Sequence, residues 1–223
     1  MSQIAQNIIS LKQEVPDHIK IIAVSKTMPV SDIMLAYDTG HRLFGENRVK
    51  ELIGKKDSLP PDIEWHMIGH LQTNKVKYIV PFITLIHSIH SFKLLKTIDT
   101  EAGKAGRTVD CLLQFHIAEE ETKSGFTREE AGKMLQSNEF RELGRVRICG
   151  VMGMATFTDD MEKVRLEFRN LAAVFRELKN KFFSHSDEFR EISMGMSGDF
   201  LVAIEEGSTM VRIGSIIFGE RKQ

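Results

Sequence analysis

IIAVSKT, residues 21–27, is the stretch on which the rest of the chain turns. A continuous apolar run of this length marks a strand buried on both faces, as parallel strands flanked by helices require. The run delivers Lys26 to its end. Stripping water from an ammonium is costly unless the group is paired or loses its proton. A lysine at this place therefore either snorkels to water or has a chemical task.

Outward from this strand, the same unit recurs. On the N-terminal side, MSQIAQNIISLKQEV puts Ile4, Ile8 and Leu11 on one stripe of an amphipathic helix within residues 1–18. On the C-terminal side, Pro29, Ser31 and Asp32 open a helix that Gly40 stops. Further strands are expected over residues 42–44, 63–67, 83–89, 108–117 and 145–152, then a seventh ending near Ser193 and an eighth within STMVRIGSIIFG, residues 208–219. Helices separate them, one over residues 72–80 and the longest over residues 161–181, where Val164, Phe168, Leu171, Val174, Phe175 and Leu178 fall at helical spacing. Unbroken alternation implies parallel strands with crossover helices. A count near eight over about 200 residues suits an α/β fold of the (β/α)8 TIM barrel type better than an open doubly wound sheet. The expectation is one domain, residues 1–223, with an extra N-terminal helix in 1–18 and the barrel over 19–219.

Composition narrows the function. A net charge of -1 and a pI near 6.7 give no electrostatic reason to expect nucleic acid or an anionic membrane as partner. The longest apolar runs fall far short of a membrane span, and the N-terminus lacks the basic start and apolar block of a signal peptide, so a cytoplasmic location is expected. Cys111 and Cys149 lie in apolar strand-like runs as small hydrophobes, with no disulfide implied. His66, His70, His87 and His90 have no companion ligand at metal-binding spacing, so no metal site is expected.

Barrel enzymes place function at the C-terminal ends of strands, and many hold phosphate with the loops after strands seven and eight. Here SMGMSGD sets Gly195 and Gly198 before a helix starting near Asp199, and Arg212-Ile213-Gly214-Ser215 offers close backbone approach and a hydroxyl. An amine near a phosphate cradle points to a Schiff base with a phosphorylated aldehyde, of which pyridoxal phosphate is the commonest cofactor. A phospho-sugar aldolase would read similarly.

AVSKTMP around Lys26, FGENRVKE, WHMIGHLQTNK, KSGF, SMGMSGDFLVAIEEGST and VRIGSIIFG occur in order over nearly the whole chain. Together they resemble the pyridoxal phosphate homeostasis protein family, which is itself similar to the barrel domain of alanine racemase. The resemblance implies a monomeric barrel that holds pyridoxal phosphate on Lys26 as a Schiff base. It implies further that Ser193, Gly195, Gly214 and Ser215 are phosphate-loop positions, Ser215 standing where many relatives have threonine. Arg212 would lie near the pyridine nitrogen, and Asn47 near the phenolic oxygen or ring face. A guanidinium cannot accept a proton, so Arg212 would keep that nitrogen unprotonated and weaken the cofactor as an electron sink. Phe115-His116 stands where relatives usually have Val-Asn, leaving that asparagine's contact without a counterpart unless His116 substitutes.

The implied function is non-catalytic: a carrier or regulator in intracellular vitamin B6 homeostasis and amino-acid balance, with apo pyridoxal phosphate enzymes as recipients. The alternative is a racemase-like enzyme. Two-base racemisation needs a tyrosine from an additional β domain, whereas the chain ends soon after the eighth strand and carries only Tyr37 and Tyr78, both in expected helices. Lys75 is a candidate second, transient amine for cofactor transfer. Glu119-Glu120-Glu121 reads as a solvated loop or a gate at the cofactor mouth, and Met152, Met154, Met194 and Met196 as lining of the barrel core or rim.

Overall fold

The computed structural model describes residues 1–118 and 125–220. Eight parallel strands close into a barrel in sequence order: β1 (Lys20–Val24), β2 (Leu43–Glu46), β3 (Glu64–Met67), β4 (Leu85–Ile89), β5 (Val109–Gln114), β6 (Val146–Met152), β7 (Glu191–Met196) and β8 (Met210–Ile213). Between β8 and β1 the ring is sealed by four register pairs, from Lys20 opposite Met210 to Ala23 opposite Ile213. The expected (β/α)8 barrel is therefore the architecture observed, and the open sheet is excluded by that closure.

Helix α1 (Gln3–Glu14) precedes the barrel, and α2 (Val30–Tyr37), α3 (Val49–Lys56), α4 (Val76–Ile79), α5 (Phe92–Lys104), α6 (Arg128–Gln136), α7 (Asn138–Arg141), α8 (Met161–Phe182), α9 (Phe200–Glu205) and α10 (Ser215–Phe218) follow their strands. Local chemistry starts several of them. Ser2 and Ser91 accept N–H bonds from the third residue beyond, and Thr127 with Glu130 forms a reciprocal capping box at α6.

Two apolar layers result from strand alternation. The outer one, between strands and helices, holds Phe44, Phe168 and Phe189 with no exposed surface. Full burial of such a side chain contributes about 1.5–3 kcal/mol. The inner one is small and confined to the barrel axis: Leu85, Leu112, Cys149, Met152 and Met210, with Met154 against it. Cys111 belongs to the outer layer and Cys149 to the inner, so the two free thiols face opposite sides of the sheet. Met152 and Met154 thus serve the interior, whereas Met194 packs outward.

Several boundaries differ from the expectation, among them the end of β5, which stops at Gln114 rather than at residue 117. Strand β2 runs on to Glu46, because its pairing with β3 from Leu43–Glu64 to Glu46–Met67 extends the ladder through a glycine and a glutamate of low strand propensity. Strand β7 continues past Ser193 to Met196 with a register shift against β8. The eighth strand stops at Ile213, and Ser215–Phe218 turns into α10, which packs on α1 where Asn7 Nδ2 donates to the Ile217 carbonyl at 3.0 Å. The segment expected as one helix over residues 72–80 divides into a 3-10 turn, Thr73–Lys75, and α4. Glu119, Glu120, Glu121 and Lys123 lie outside the described residues.

Among the described residues no helix is long and apolar enough to cross a membrane, and no cluster of three or more His, Cys, Asp or Glu is arranged to hold a metal.

Candidate functional site

At the C-terminal mouth of the barrel the strand ends enclose a cavity of about 700 Å³, lined by Lys26 after β1, Asn47 after β2, Ile68 after β3, Met154 after β6, Met196 in β7 and Arg212 in β8. Cavities of this size hold cofactor-sized molecules.

Lys26 is half-buried, and the backbone on either side of it is braced. Ser25 N–H extends the β1 ladder to the Gly45 carbonyl at 3.0 Å, and its hydroxyl donates to Glu46 Oε1 at 2.7 Å. Lys55 Nζ reaches the Ser25 carbonyl at 2.8 Å, Glu46 Oε1 at 2.7 Å and Glu51 Oε1 at 2.6 Å. Glu51 in turn accepts the Thr27 N–H. Thr27 is the one described non-glycine residue with positive φ, at 66°. That conformation costs a β-branched residue about 1–3 kcal/mol and persists only when its surroundings enforce it. The Glu46–Lys55–Glu51 cluster supplies that enforcement and fixes where Lys26 leaves the strand. Burial pushes the Glu46 carboxyl above its usual range, opposed by the hydrogen bonds from Lys55 and Ser25. This brace was not read from the sequence, although Glu51 and Lys55 stand at the i,i+4 spacing of a helical ion pair.

Arg212 is buried at 3% exposure on the cavity floor. Its Nη1 donates to Ser193 Oγ at 2.7 Å and its Nη2 to the Gly153 carbonyl at 3.0 Å. Burial lowers its pKa to about 10, against the attraction of Asp199, so it remains a cation. Asn47 turns its Oδ1 to a place where no donor among the described residues meets it. Its backbone passes so close to Gly69 that an added Cβ there would come within 2.3 Å of the Asn47 carbonyl oxygen. Buried polar atoms are nearly always bonded, so an orphan acceptor at a cavity wall fits a ligand donor.

The loop residues divide. Gly214 and Ser215 line the cavity, as do Ser197 and Gly198. Ser197 was missed by sequence reading, and its Oγ accepts the Gly214 N–H at 3.3 Å, joining the two loops. Ser193 and Gly195 do not line the cavity. Ser193 lies one layer below, under Arg212. Gly195, at φ 94°, turns the chain where a Cβ would stand 2.6 Å from Ala203 Cβ. Rather than leaving its N–H groups open, the turn before α9 uses Asp199 Oδ1 to accept the Met196 N–H at 2.5 Å. The loop side of the mouth is thereby formed by Ser197, Gly198, Gly214 and Ser215.

Other candidates lie elsewhere. Lys75 is exposed beside the Tyr78 ring, 5.9 Å away. His116 has a buried Nε2 without a partner among the described residues, and it does not line the cavity. Tyr37 donates its hydroxyl to Asp62 at 2.7 Å, and neither tyrosine reaches the cavity.

Residues 1–222 match the family described as alanine racemase, N-terminal domain. A curated relative from Aquifex aeolicus (strain VF5), named pyridoxal phosphate homeostasis protein, is 40% identical over 204 residues, 91% of this chain and 87% of the relative. Among solved structures, PipY of Synechococcus elongatus PCC7942 without PLP superposes with a TM-score of 0.90 at 34% identity, covering 97% of this chain and 100% of PipY. The same protein with PLP bound superposes with a TM-score of 0.88 over the same shares at the same identity. With the barrel closed in order and relatives matched over nine-tenths of its length, the chain belongs to the pyridoxal phosphate homeostasis protein family, within the alanine racemase N-terminal domain group.

Proposed function

We propose that the protein binds pyridoxal phosphate in the C-terminal cavity, tethered to Lys26 as a Schiff base, and serves intracellular vitamin B6 homeostasis and amino-acid balance as a carrier or regulator without catalysis. The observation that carries the reading is the convergence of a braced lysine, a fixed guanidinium and an orphan carboxamide oxygen on one cavity. These groups suit the cofactor's chemical parts. Lys26 supplies the amine for the aldehyde, Ser197, Gly198, Gly214 and Ser215 surround the phosphate, Arg212 faces the ring nitrogen, and Asn47 Oδ1 accepts from a protonated group on the ring. Bound pyridoxal phosphate would supply an electrophilic carbon and a conjugated electron sink.

Two features of this chain support a carrier over a racemase. Arg212 stays protonated and donates, so it leaves the ring nitrogen without a proton and the sink weak. Lys26 is the sole lysine lining the cavity among the described residues, and neither tyrosine is there to act as a second base. The protein works as a soluble monomer in the cytoplasm on this reading, and passes cofactor to apo pyridoxal phosphate enzymes.

Absorption spectra of purified protein with pyridoxal phosphate, before and after borohydride, test the tether. The expected visible band is abolished in Lys26→Ala, and peptide mapping finds the reduced pyridoxyl group on Lys26. Sustained racemisation of D- or L-amino acids that vanishes in Lys26→Ala would overturn the non-catalytic reading. Failure of the holo-protein to reactivate an apo-enzyme faster than free cofactor released at the same rate would overturn the carrier role.

A further inference from the structure

Below Arg212 the barrel axis is polar. His87 Nδ1 lies 2.9 Å from Ser193 Oγ, and His87 Nε2 lies 2.9 Å from His66 Nδ1. All three side chains are buried, and His66 also lines a second cavity, of about 190 Å³, beside Lys20 and Glu191. Lys20 and Glu191 belong to the N-terminal ends of β1 and β7, so that cavity opens at the opposite mouth of the barrel.

The direction of the chain follows from donor and acceptor capacity. Arg212 can only donate, so Ser193 Oγ accepts from it. The Ser193 hydroxyl proton must then go elsewhere, and among the described residues His87 Nδ1 is the acceptor within reach. His87 thereby carries its proton on Nε2 and donates to His66 Nδ1. His66 carries its own on Nε2, toward the second cavity. The reverse tautomers would leave the serine proton buried without an acceptor, at the cost of a hydrogen bond. Burial independently favours both rings neutral, holding His66 near a pKa of about 3 and His87 well below its usual value.

We propose that Ser193, His87 and His66 are positioning residues, a one-way hydrogen-bond chain that locks the Arg212 guanidinium on the cavity floor and ties it to the N-terminal mouth. The proposal rests on the reading of Arg212 as the group facing the cofactor ring. It assigns roles to two histidines that neither the cavity lining nor the chemistry of the tether uses.

Two experiments separate this from the functional reading. In the first, no cofactor is added: ¹⁵N NMR of imidazole and guanidinium groups is recorded on the full chain. His66 and His87 are expected neutral with the proton on Nε2, and the Arg212 Nη signals sharp and distinct, collapsing to exchange-broadened signals in Ser193→Ala. A His87 proton on Nδ1, or Arg212 signals indifferent to Ser193→Ala, overturns the chain whatever the protein binds. In the second, pyridoxal phosphate release is followed into an excess of trapping reagent. Ser193→Ala and His87→Leu are expected to release it roughly tenfold faster or more, with a shifted cofactor band, because one bond to a charged group is lost. His87→Gln, which can still accept from Ser193 and donate to His66, restores slow release. Unchanged release and band in Ser193→Ala overturn the positioning role. Wild-type protein that binds no cofactor overturns the functional reading instead, leaving the first experiment decisive for the chain.

Discussion

Replacing Lys55 by methionine tests whether the brace under Lys26 is what holds that lysine in place. Lys55 is nearly buried, with a side-chain exposure of 10%, and bridges Glu46 at 0% and Glu51 at 22%. Removing one partner of a buried ion pair costs about 3–5 kcal/mol, because the remaining charge is left without compensation. Three bonds from Lys55 Nζ disappear together, including the one to the Ser25 carbonyl. The loss should therefore reach that range in urea unfolding at pH 8, with an unchanged m-value. It should shrink toward pH 5. Burial already raises the Glu46 pKa, and without Lys55 it rises further above the unfolded value, so falling pH supplies the proton that neutralises the buried carboxylate. In a Glu46→Gln background the same substitution should cost less, with a coupling of about 1–3 kcal/mol, since no buried charge remains to be stranded. Thr27 also loses its enforced geometry as Glu51 relaxes, so borohydride-trapped pyridoxyl on Lys26 should form more slowly. A Lys55→Met loss below about 1 kcal/mol, with trapping at the wild-type rate, would refute the brace.

Three further outcomes are expected. Gly69→Ala should weaken cofactor retention and cost about 1–3 kcal/mol in denaturant unfolding, because its Cβ would meet the Asn47 carbonyl oxygen at 2.3 Å, whereas Gly54→Ala, with open space around it in α3, should be neutral or stabilising. Stability should fall as pH drops from about 6.5, since His41 and His66 titrate near 4 and 3 when folded and near 6.5 when unfolded; by pH 5 each has cost about 2 kcal/mol, and a flat profile from pH 7 to pH 5 would contradict their burial as neutral rings. Native protein should resist thiol alkylation at pH 8 and react only in urea, because burial lifts Cys149 to about 12 and Cys111 well above its usual value; rapid reaction of one native thiol would show that strand open to solvent.

Sequence alone determined the barrel, because eight apolar runs separated by helical spacing admit few arrangements once parallel crossovers are required. It also placed Lys26, Arg212, Gly214 and Ser215 at or just past strand ends, the family resemblance added Asn47, and the observed cavity gathers all five. Those residues lie close to their strands, so local position predicts where they point. Tertiary structure alone decided what meets what below and beside the cavity. Ser193 looked like a loop residue, yet β7 runs three residues past it, and the register shift between Ser193 and Met196 turns its hydroxyl under Arg212 and leaves Ser197 at the mouth. The bonds His66 to His87 and His87 to Ser193 join residues 21 and 106 positions apart, and Lys55 reaches back 30 positions to Ser25. Such contacts depend on which strands adjoin and which face each side chain takes after a bulge. A period-two pattern read along one strand cannot carry that information across the barrel.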